Sequence, residues 1–445
     1  MKIKMILTRL ALALSLAAIP ALTQNAAVQA QQFTAYTAGV QIANLESTAA
    51  QITITAYKTS DGTQDGSPLS DSIPANDSKT YFPISNVSAG FQGSLVVSSS
   101  KKVAAIANVL ESTFKAGASY VGLSSGSTSV RLPLLMKNNN NINTWYSVQN
   151  AGSSDATVTV AYSDGTSNNG TIKPGAAKTF YQKNENHTQA VFAGTITSNQ
   201  PLVAAVIQES TKEMFAYTAF ATGTNNPVFP LVNANNSKII TGIQIQNAGT
   251  ADTSVEVTYT PSLAGSACKE TQTIQPGASA TFALLAFANG ANSNCTAGSK
   301  FIGSATVTGN STSQPLVGIA NQLLPGVNGE SYGSFAAGDA TNKVVAPLIM
   351  DRNNGYFTGI SVANVGGPAA TVTCTFSNSS FTYVKALAPG EAMTELQQGK
   401  IADKYVGSAT CTADNASTKL VGIVNQLGPS ATADQLLVYE MVTVQ

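Results

Sequence analysis

Hydrophobic and polar residues alternate with a period of two along most of the chain, in short runs broken by turn residues. The clearest run is Gly242-Ile243-Gln244-Ile245-Gln246-Asn247-Ala248-Gly249, an alternating strand that stops at Asn and a small-residue turn. Gly39-Val40-Gln41-Ile42-Ala43-Asn44, Trp145-Tyr146-Ser147-Val148-Gln149-Asn150-Ala151-Gly152 and Gly359-Ile360-Ser361-Val362-Ala363-Asn364-Val365-Gly366 repeat it. The chain is therefore a tandem repeat, with Asn44, Asn150, Asn247 and Asn364 marking the register. At an inward position closing a strand, a short amide bonds the turn backbone, which predicts a structural role for Asn150, Asn247 and Asn364.

The same signals follow each mark. An alternating strand comes first: Val158, Val160 and Tyr162; Val255, Val257 and Tyr259; Val372, Cys374 and Phe376. In the first repeat Ile52 and Ile54 match, but Tyr57 arrives one residue late, which predicts a β-bulge near Thr55-Ala56, with a slipped edge strand as the alternative. A turn follows at Pro174-Gly175, Pro276-Gly277 and Pro389-Gly390, with Pro74-Ala75-Asn76 in the first repeat. Proline presets the first turn residue and Gly accepts positive φ at the second, so a type II turn is expected.

Next comes an aromatic, one residue, then Gly: Phe91/Gly93, Phe192/Gly194, Phe301/Gly303 and Tyr405/Gly407. A nearly continuous apolar strand succeeds it, at Val103 to Ile106, Leu202 to Ile207, Leu316 to Ile319 and Leu420 to Val424, as expected of a strand covered on both faces. The first three repeats close with Tyr, a large apolar residue and Gly at three-residue spacing: Tyr120/Leu123/Gly126, Tyr217/Phe220/Gly223 and Tyr332/Phe335/Gly338. The fourth is expected to end differently, in Leu436-Leu437-Val438-Tyr439. Pro133, Pro230 and Pro347 open the following units.

These patterns predict an all-β chain of four immunoglobulin-like β-sandwiches after a signal peptide: residues 1–30 as the signal, then repeats 31–127, 128–224, 225–340 and 341–445. Short connections predict a semi-rigid row of domains. The Asn-x-Gly turn, the β-branched alternation and the Pro-Gly-small-x-x-aromatic turn resemble the CARDB type of bacterial cell-adhesion-related domain. That resemblance covers the first half of each repeat, and it implies a sandwich on a cell surface or outside the cell, with no catalytic residues.

Composition narrows the class. Lys2, Lys4 and Arg9 form a basic start, Leu10 to Leu22 an apolar core and Val28-Gln29-Ala30 a cleavage site, so the mature chain is expected to begin at Gln31. Pro20, with Gln24 and Asn25 after it, leaves the apolar run short of the ~20 residues a span requires, so no transmembrane span is expected. Three of the 23 basic residues and none of the 23 acidic ones lie in that segment, leaving 20 against 23 and a net charge of −3. A chain that is only 10% charged and, after the signal, slightly acidic argues against nucleic acid as a partner.

Candidate chemistry is sparse. His187, the only histidine, sits in a polar stretch, which argues against His-dependent hydrolysis and against a His-rich metal site unless Asp or Glu supply the ligands. Asp61 and Asp65 each precede Gly and are read as turn residues rather than as an acid and base pair or a calcium loop. No nucleophile elbow or phosphate loop is visible, so no enzyme and no cofactor are expected. Sequons, including Asn76, Asn86, Asn235 and Asn310, are at the level chance provides in a chain rich in Asn, Ser and Thr.

The four cysteines are more informative in an exported chain. Cys374 replaces a core valine and Cys411 has inward parity, which predicts a bridge; Cys268 and Cys295 occupy the two places where the third repeat is longer, which predicts a second. Four reduced thiols are the alternative. Trp145 stands where the other repeats have Gly and, by parity, points away from its own core, so partial exposure is expected. Two roles fit it: with Asn138, Asn139 and Asn140 of the preceding loop it offers an indole face and amides to a sugar, or it covers a junction with a neighbouring domain. The functional expectation is a secreted or cell-surface structural or adhesive protein. The alternative is a carbohydrate-binding protein using loops of repeat 2, and the candidate partners are cell-surface polysaccharide or further copies of the chain.

Overall fold

A computed structural model describes residues 8–12, 33, 35–282, 293–324, 326–429 and 433–444. The described chain is antiparallel β almost throughout, with two short 3-10 turns at Gln182–Asn184 and Ala337–Asp339. Each repeat folds into two facing sheets. In repeat 3 one sheet runs, in spatial order, Cys268–Ile274, Thr253–Ala264, Phe301–Gly309, Pro227–Ala234 and Phe335–Ala336. The other runs Ser279–Phe282, Ile240–Asn247, Leu316–Leu324 and Asn328–Gly333. Repeat 4 follows the same plan, and in repeat 2 a single long strand, Val191–Glu209, serves both sheets.

The register asparagines are buried in all four repeats. Asn247 Nδ2 donates to the carbonyls of Ala251 (2.8 Å) and Ile274 (2.9 Å), while its Oδ1 accepts from the Gly249 N–H (2.9 Å). Asn150 and Asn364 make the same three bonds, and Asn44 binds Thr48, Ile73, Pro74 and Glu46 in the same manner. One amide thus closes a strand, shapes a turn and ties down the neighbouring strand. The expected turns form beside it, with positive φ at Gly175, Gly277 and Gly390 and at Asn76 in repeat 1.

Two expectations within the repeats need correction. The strand Ala50–Lys58 alternates without a break, and Ala56 takes the inward position that Tyr162, Tyr259 and Phe376 hold elsewhere. The expected irregularity does fall between Ile54 and Ala56, but its extra residues are on the opposite strand, Gln64–Ile73, where Ile54 pairs with Leu69 and Ala56 with Asp65. Tyr57 consequently faces outward and packs against the core of repeat 2, its ring beside Gly175. The fourth repeat also closes as the others do: Tyr439 in Leu436–Glu440 matches Tyr120, Tyr217 and Tyr332. Both disulfides form, Cys268–Cys295 and Cys374–Cys411, the latter between residues directly opposite on neighbouring strands.

The repeats do not form a row. The closing strands Gly117–Val121, Met214–Thr218, Asn328–Gly333 and Leu436–Glu440 pack in cyclic order, each against the next and the fourth against the first. The apolar strands explain the closure. Alternate residues such as Leu202, Ala204 and Val206 enter their own core, while the residue between points into the preceding repeat. Ala205 joins the core of repeat 1, Ile319 that of repeat 2 and Ile423 that of repeat 3. Ile106, at the same position in repeat 1, joins the core of repeat 4. In an open row Ile106 would face water; the ring covers it.

The stretch expected to stand outside the fold contributes one strand. Thr8–Leu12 pairs antiparallel with Gly93–Ser99 at the edge of repeat 1. Lys2, Lys4, the rest of the apolar run and the Val28-Gln29-Ala30 cleavage site lie outside the described residues.

Replacing Asn247 by Leu leaves two carbonyls and one N–H without their buried partner. The expected cost is about 1 to 3 kcal/mol, read as a lower denaturation midpoint in urea with an unchanged slope.

Candidate functional site

Four junctions surround the ring axis, and their residues correspond one for one. On the apolar strands the corresponding positions are Asn108, Ile207, Asn321 and Asn425; on the closing strands they are Ser119, Ala216, Ser331 and Val438. The corresponding residues of the preceding repeat are Gln426, Val109, Gln208 and Gln322 respectively. Where repeat 4 meets repeat 1, Asn108 Nδ2 donates to Gln426 Oε1 (2.9 Å), and Gln426 Nε2 donates to Asn108 Oδ1 (3.2 Å) and Ser119 Oγ (2.7 Å). Gln208, Asn321 and Ser331 repeat this set between repeats 2 and 3. Between repeats 1 and 2 the three positions are all apolar: Val109, Ile207 and Ala216.

The junction of repeats 3 and 4 is mismatched. It has Gln322 and Asn425, but Val438 stands where the polar sets have Ser. Gln322 turns back into its own repeat, accepting from Asn233 Nδ2 and donating to Glu330 Oε1. Two buried polar atoms, Glu330 Oε2 and Asn425 Oδ1, are left without a hydrogen-bond partner. Both residues line a cleft of about 230 Å³ together with Asn233, Gln322, Leu324 and Leu427. Burial pushes the Glu330 carboxyl up to about 8 against the opposing hydrogen bond from Gln322, so the acid is neutral at pH 7. Its Oε1 receives the Gln322 N–H, which leaves the proton on Oε2 as a donor into the cleft. An O–H donor and an amide acceptor suit a neutral polyol, whose hydroxyls both donate and accept.

A larger cavity of about 500 Å³ opens at the axis, where Lys115, Lys212, Gly326 and Ala433 bring one residue from each repeat. Beneath it the Glu111 carboxylate already accepts from the Thr113 N–H (2.9 Å) and from the Ser112 and Thr113 hydroxyls. The fully buried Asp434 of repeat 4 holds this end together: its Oδ2 accepts from Met214 N of repeat 2 (2.7 Å), and its Oδ1 from Gly329 N of repeat 3 (3.0 Å). Its backbone bridges Ala116 of repeat 1. Burial raises the Asp434 carboxyl well above the usual range despite the N–H groups of Met214, Gly329 and Leu436.

The candidates singled out in the sequence lie elsewhere. Trp145 is 3% exposed, which corrects the expectation of exposure: the indole belongs to the core of repeat 1 and packs edge-on against Tyr36, with centroids 6.0 Å apart. The outward face of its strand is the junction face, so Trp145 covers repeat 1 and is not available to stack on a sugar. Asn138 and Asn140 adopt positive φ, and Asn139 bridges Ile142 in a tight turn. The same turn recurs at Asn236–Ile239 and Asn353–Tyr356, which makes it a structural feature of the repeat. Cys268, Cys295, Cys374 and Cys411 are all in disulfides.

His187 is buried between Asp164 Oδ2 (3.0 Å), Thr166 Oγ1 (3.1 Å) and Gln182 Oε1 (2.9 Å), and it stacks on Phe192 at 3.9 Å. Burial alone would raise the Asp164 carboxyl, but bonds from Thr166, Thr188 and His187 outweigh it and hold it at about 2. Asp61 accepts from the Thr63 N–H (2.8 Å) and Asp65 from the Ser88 N–H (2.7 Å), both as loop fasteners. Among the described residues no group of His, Cys, Asp and Glu could hold a metal ion, and no helix is long and apolar enough to cross a membrane. Compared with known proteins, the chain matches no family model and no curated protein. The likeness to the CARDB type rests on the turn motifs and the β-branched alternation alone.

The cleft gives the stability a pH dependence. Glu330 titrates near 4.5 when unfolded and near 8 when folded, so folding takes up a proton in that window and stability falls as pH rises through it. Asp434 carries the same sign. Melting followed at pH 5 and pH 8.5 is expected to show a lower midpoint at the higher pH. Glu330→Gln should reduce that difference and melt higher than the parent at pH 8.5.

Proposed function

We propose that this chain is an exported, non-enzymatic structural or adhesive protein of the cell surface or extracellular matrix, acting as a rigid ring of four sandwiches. One observation carries the reading: side chains that would do chemistry are bonded into the architecture instead. His187 and Asp164 fasten a loop, Asp434 joins three repeats at the axis and the polar sets of two junctions satisfy each other. The two disulfides fit an oxidising extracellular setting.

Carbohydrate binding is the second reading, favoured by the unpartnered polar atoms in the cleft between repeats 3 and 4 rather than by the loops of repeat 2. Its apolar walls, Leu324 and Leu427, suit the C–H face of a small sugar while Glu330 and Asn425 take hydroxyls.

Fractionation of producing cells, with thiol trapping, tests the first reading. The expected result is oxidised protein at the surface or in the medium, beginning at Gln31; full-length, reduced protein confined to the cytosol would overturn it. A panel of monosaccharides and polysaccharides tests the second. Binding that Glu330→Gln and Asn425→Leu each weaken by roughly tenfold is expected of a cleft site, about one hydrogen bond apiece, and equal binding by all three proteins rules the cleft out.

A further inference from the structure

Repeat 1 differs from the others in one strand. In repeats 2, 3 and 4 an opening strand, Ser127–Met136, Pro227–Ala234 or Lys343–Asp351, pairs antiparallel with the strand that carries the aromatic-x-Gly signal. In each, the register skips at the Pro-Leu pair: Pro133-Leu134, Pro230-Leu231 and Pro347-Leu348. The bulged leucine turns its carbonyl to the closing tyrosine. Tyr217 Oη donates to Leu134 O (2.6 Å), Tyr332 to Leu231 O and Tyr439 to Leu348 O.

Tyr120, their counterpart in repeat 1, is 3% exposed, and its hydroxyl has no partner among the described residues. The opening strands end 13 or 14 residues before Asn150, Asn247 and Asn364, as Met136, Ala234 and Asp351 show. The same offset from Asn44 falls at residues 30 and 31, where cleavage is expected. The position is held instead by Thr8–Leu12, with Leu10 opposite Val97 and Leu12 opposite Leu95. Cleavage after Ala30 removes that strand too.

We propose that the mature protein is a strand acceptor. The proposal rests on the export reading: loss of residues 1–30 bares the Gly93–Ser99 edge of repeat 1, and an extended segment of another polypeptide completes the sandwich in trans. The segment runs antiparallel to Gly93–Ser99, places apolar side chains at alternate positions over Leu95 and Val97, and bulges at a Pro-Leu pair to give Tyr120 its missing carbonyl. Main-chain bonds along the edge supply affinity, and the alternate apolar positions supply specificity. The last described strand of this chain, Val442–Thr443, is not the donor, because it is already paired with Lys343–Asp351.

The test uses the protein recovered after export, its first residue read by mass spectrometry, and a synthetic peptide with the sequence of Ser127–Met136. A chain beginning at Gln31 is expected to bind one peptide, seen by native mass spectrometry, and to melt higher with it; a scrambled peptide should do neither. Tyr120→Phe is expected to weaken peptide binding about tenfold, the worth of one buried hydrogen bond, while leaving the melting of the free protein unchanged. A variant with the Ser127–Met136 sequence linked ahead of Phe33 should melt higher and ignore free peptide.

The proposal fails if the chain beginning at Gln31 binds no peptide, if two copies pair edge to edge without it, or if the Gly93–Ser99 amides resist hydrogen exchange as well as those of Phe301–Gly309. Surface protein that retains residues 1–30 overturns the cleavage reading, and with it the open edge, since the chain then fills that edge itself.

Discussion

The apolar strand of each sandwich has two faces to cover and only one core of its own. Its second face carries Ile106, Ala205, Ile319 or Ile423, and each is buried only because the preceding repeat accepts it. Burying one such isoleucine is worth roughly 1.5 to 3 kcal/mol, so three junctions alone would leave one of these contributions unmade and one strand face wet. Closing the ring recovers it. The closing strands are then brought to a common axis, where the loop bearing Asp434 reaches three other repeats at once.

The junctions are not equivalent, and the difference is chemical. Two use a Gln, an Asn and a Ser that satisfy one another in the buried seam, and one is purely apolar. Polar sets of this kind add little net stability but fix register, because any displacement leaves buried groups unpaired. The fourth seam has the Gln and the Asn without the Ser. Val438 breaks the set, Gln322 turns away and the cleft remains with a protonated carboxyl at its wall. A candidate binding site here arises from the loss of one hydroxyl in an otherwise repeated pattern.

Much of the fold was legible in the sequence, because period-two alternation, the register Asn and the Pro-Gly turns are local signals with local causes. The inward cysteines were legible for the same reason, since parity alone places them. The ring was only half visible. A continuous apolar strand says that both faces are covered, but not whether a second sheet or a second domain covers them. Tyr57 was misread because a late aromatic looks like a bulge when the strand is considered alone; its actual partner is the turn of the next repeat. Trp145 was misplaced in part for a related reason: parity correctly turned it from its own core, and only the neighbouring repeat explains its burial. Asp434 and the mismatch at Val438 carry no local signature, and they become visible only when strands distant in sequence are compared position by position around the axis.

Closure also bears on how the repeats can be ordered along a chain. Repeats 4 and 1 meet through the same positions as the covalently linked pairs, so the assembled ring does not distinguish the gap without a peptide connection from the three that have one. A gene rearranged to start with repeat 2 and finish with repeat 1 would make the same contacts in the same cyclic order. The new connection from repeat 4 into repeat 1 would cross the span where the other connections supply an opening strand. Circular permutation at that gap is therefore a change this architecture can absorb, with the new connection running where Thr8–Leu12 now pairs with Gly93–Ser99.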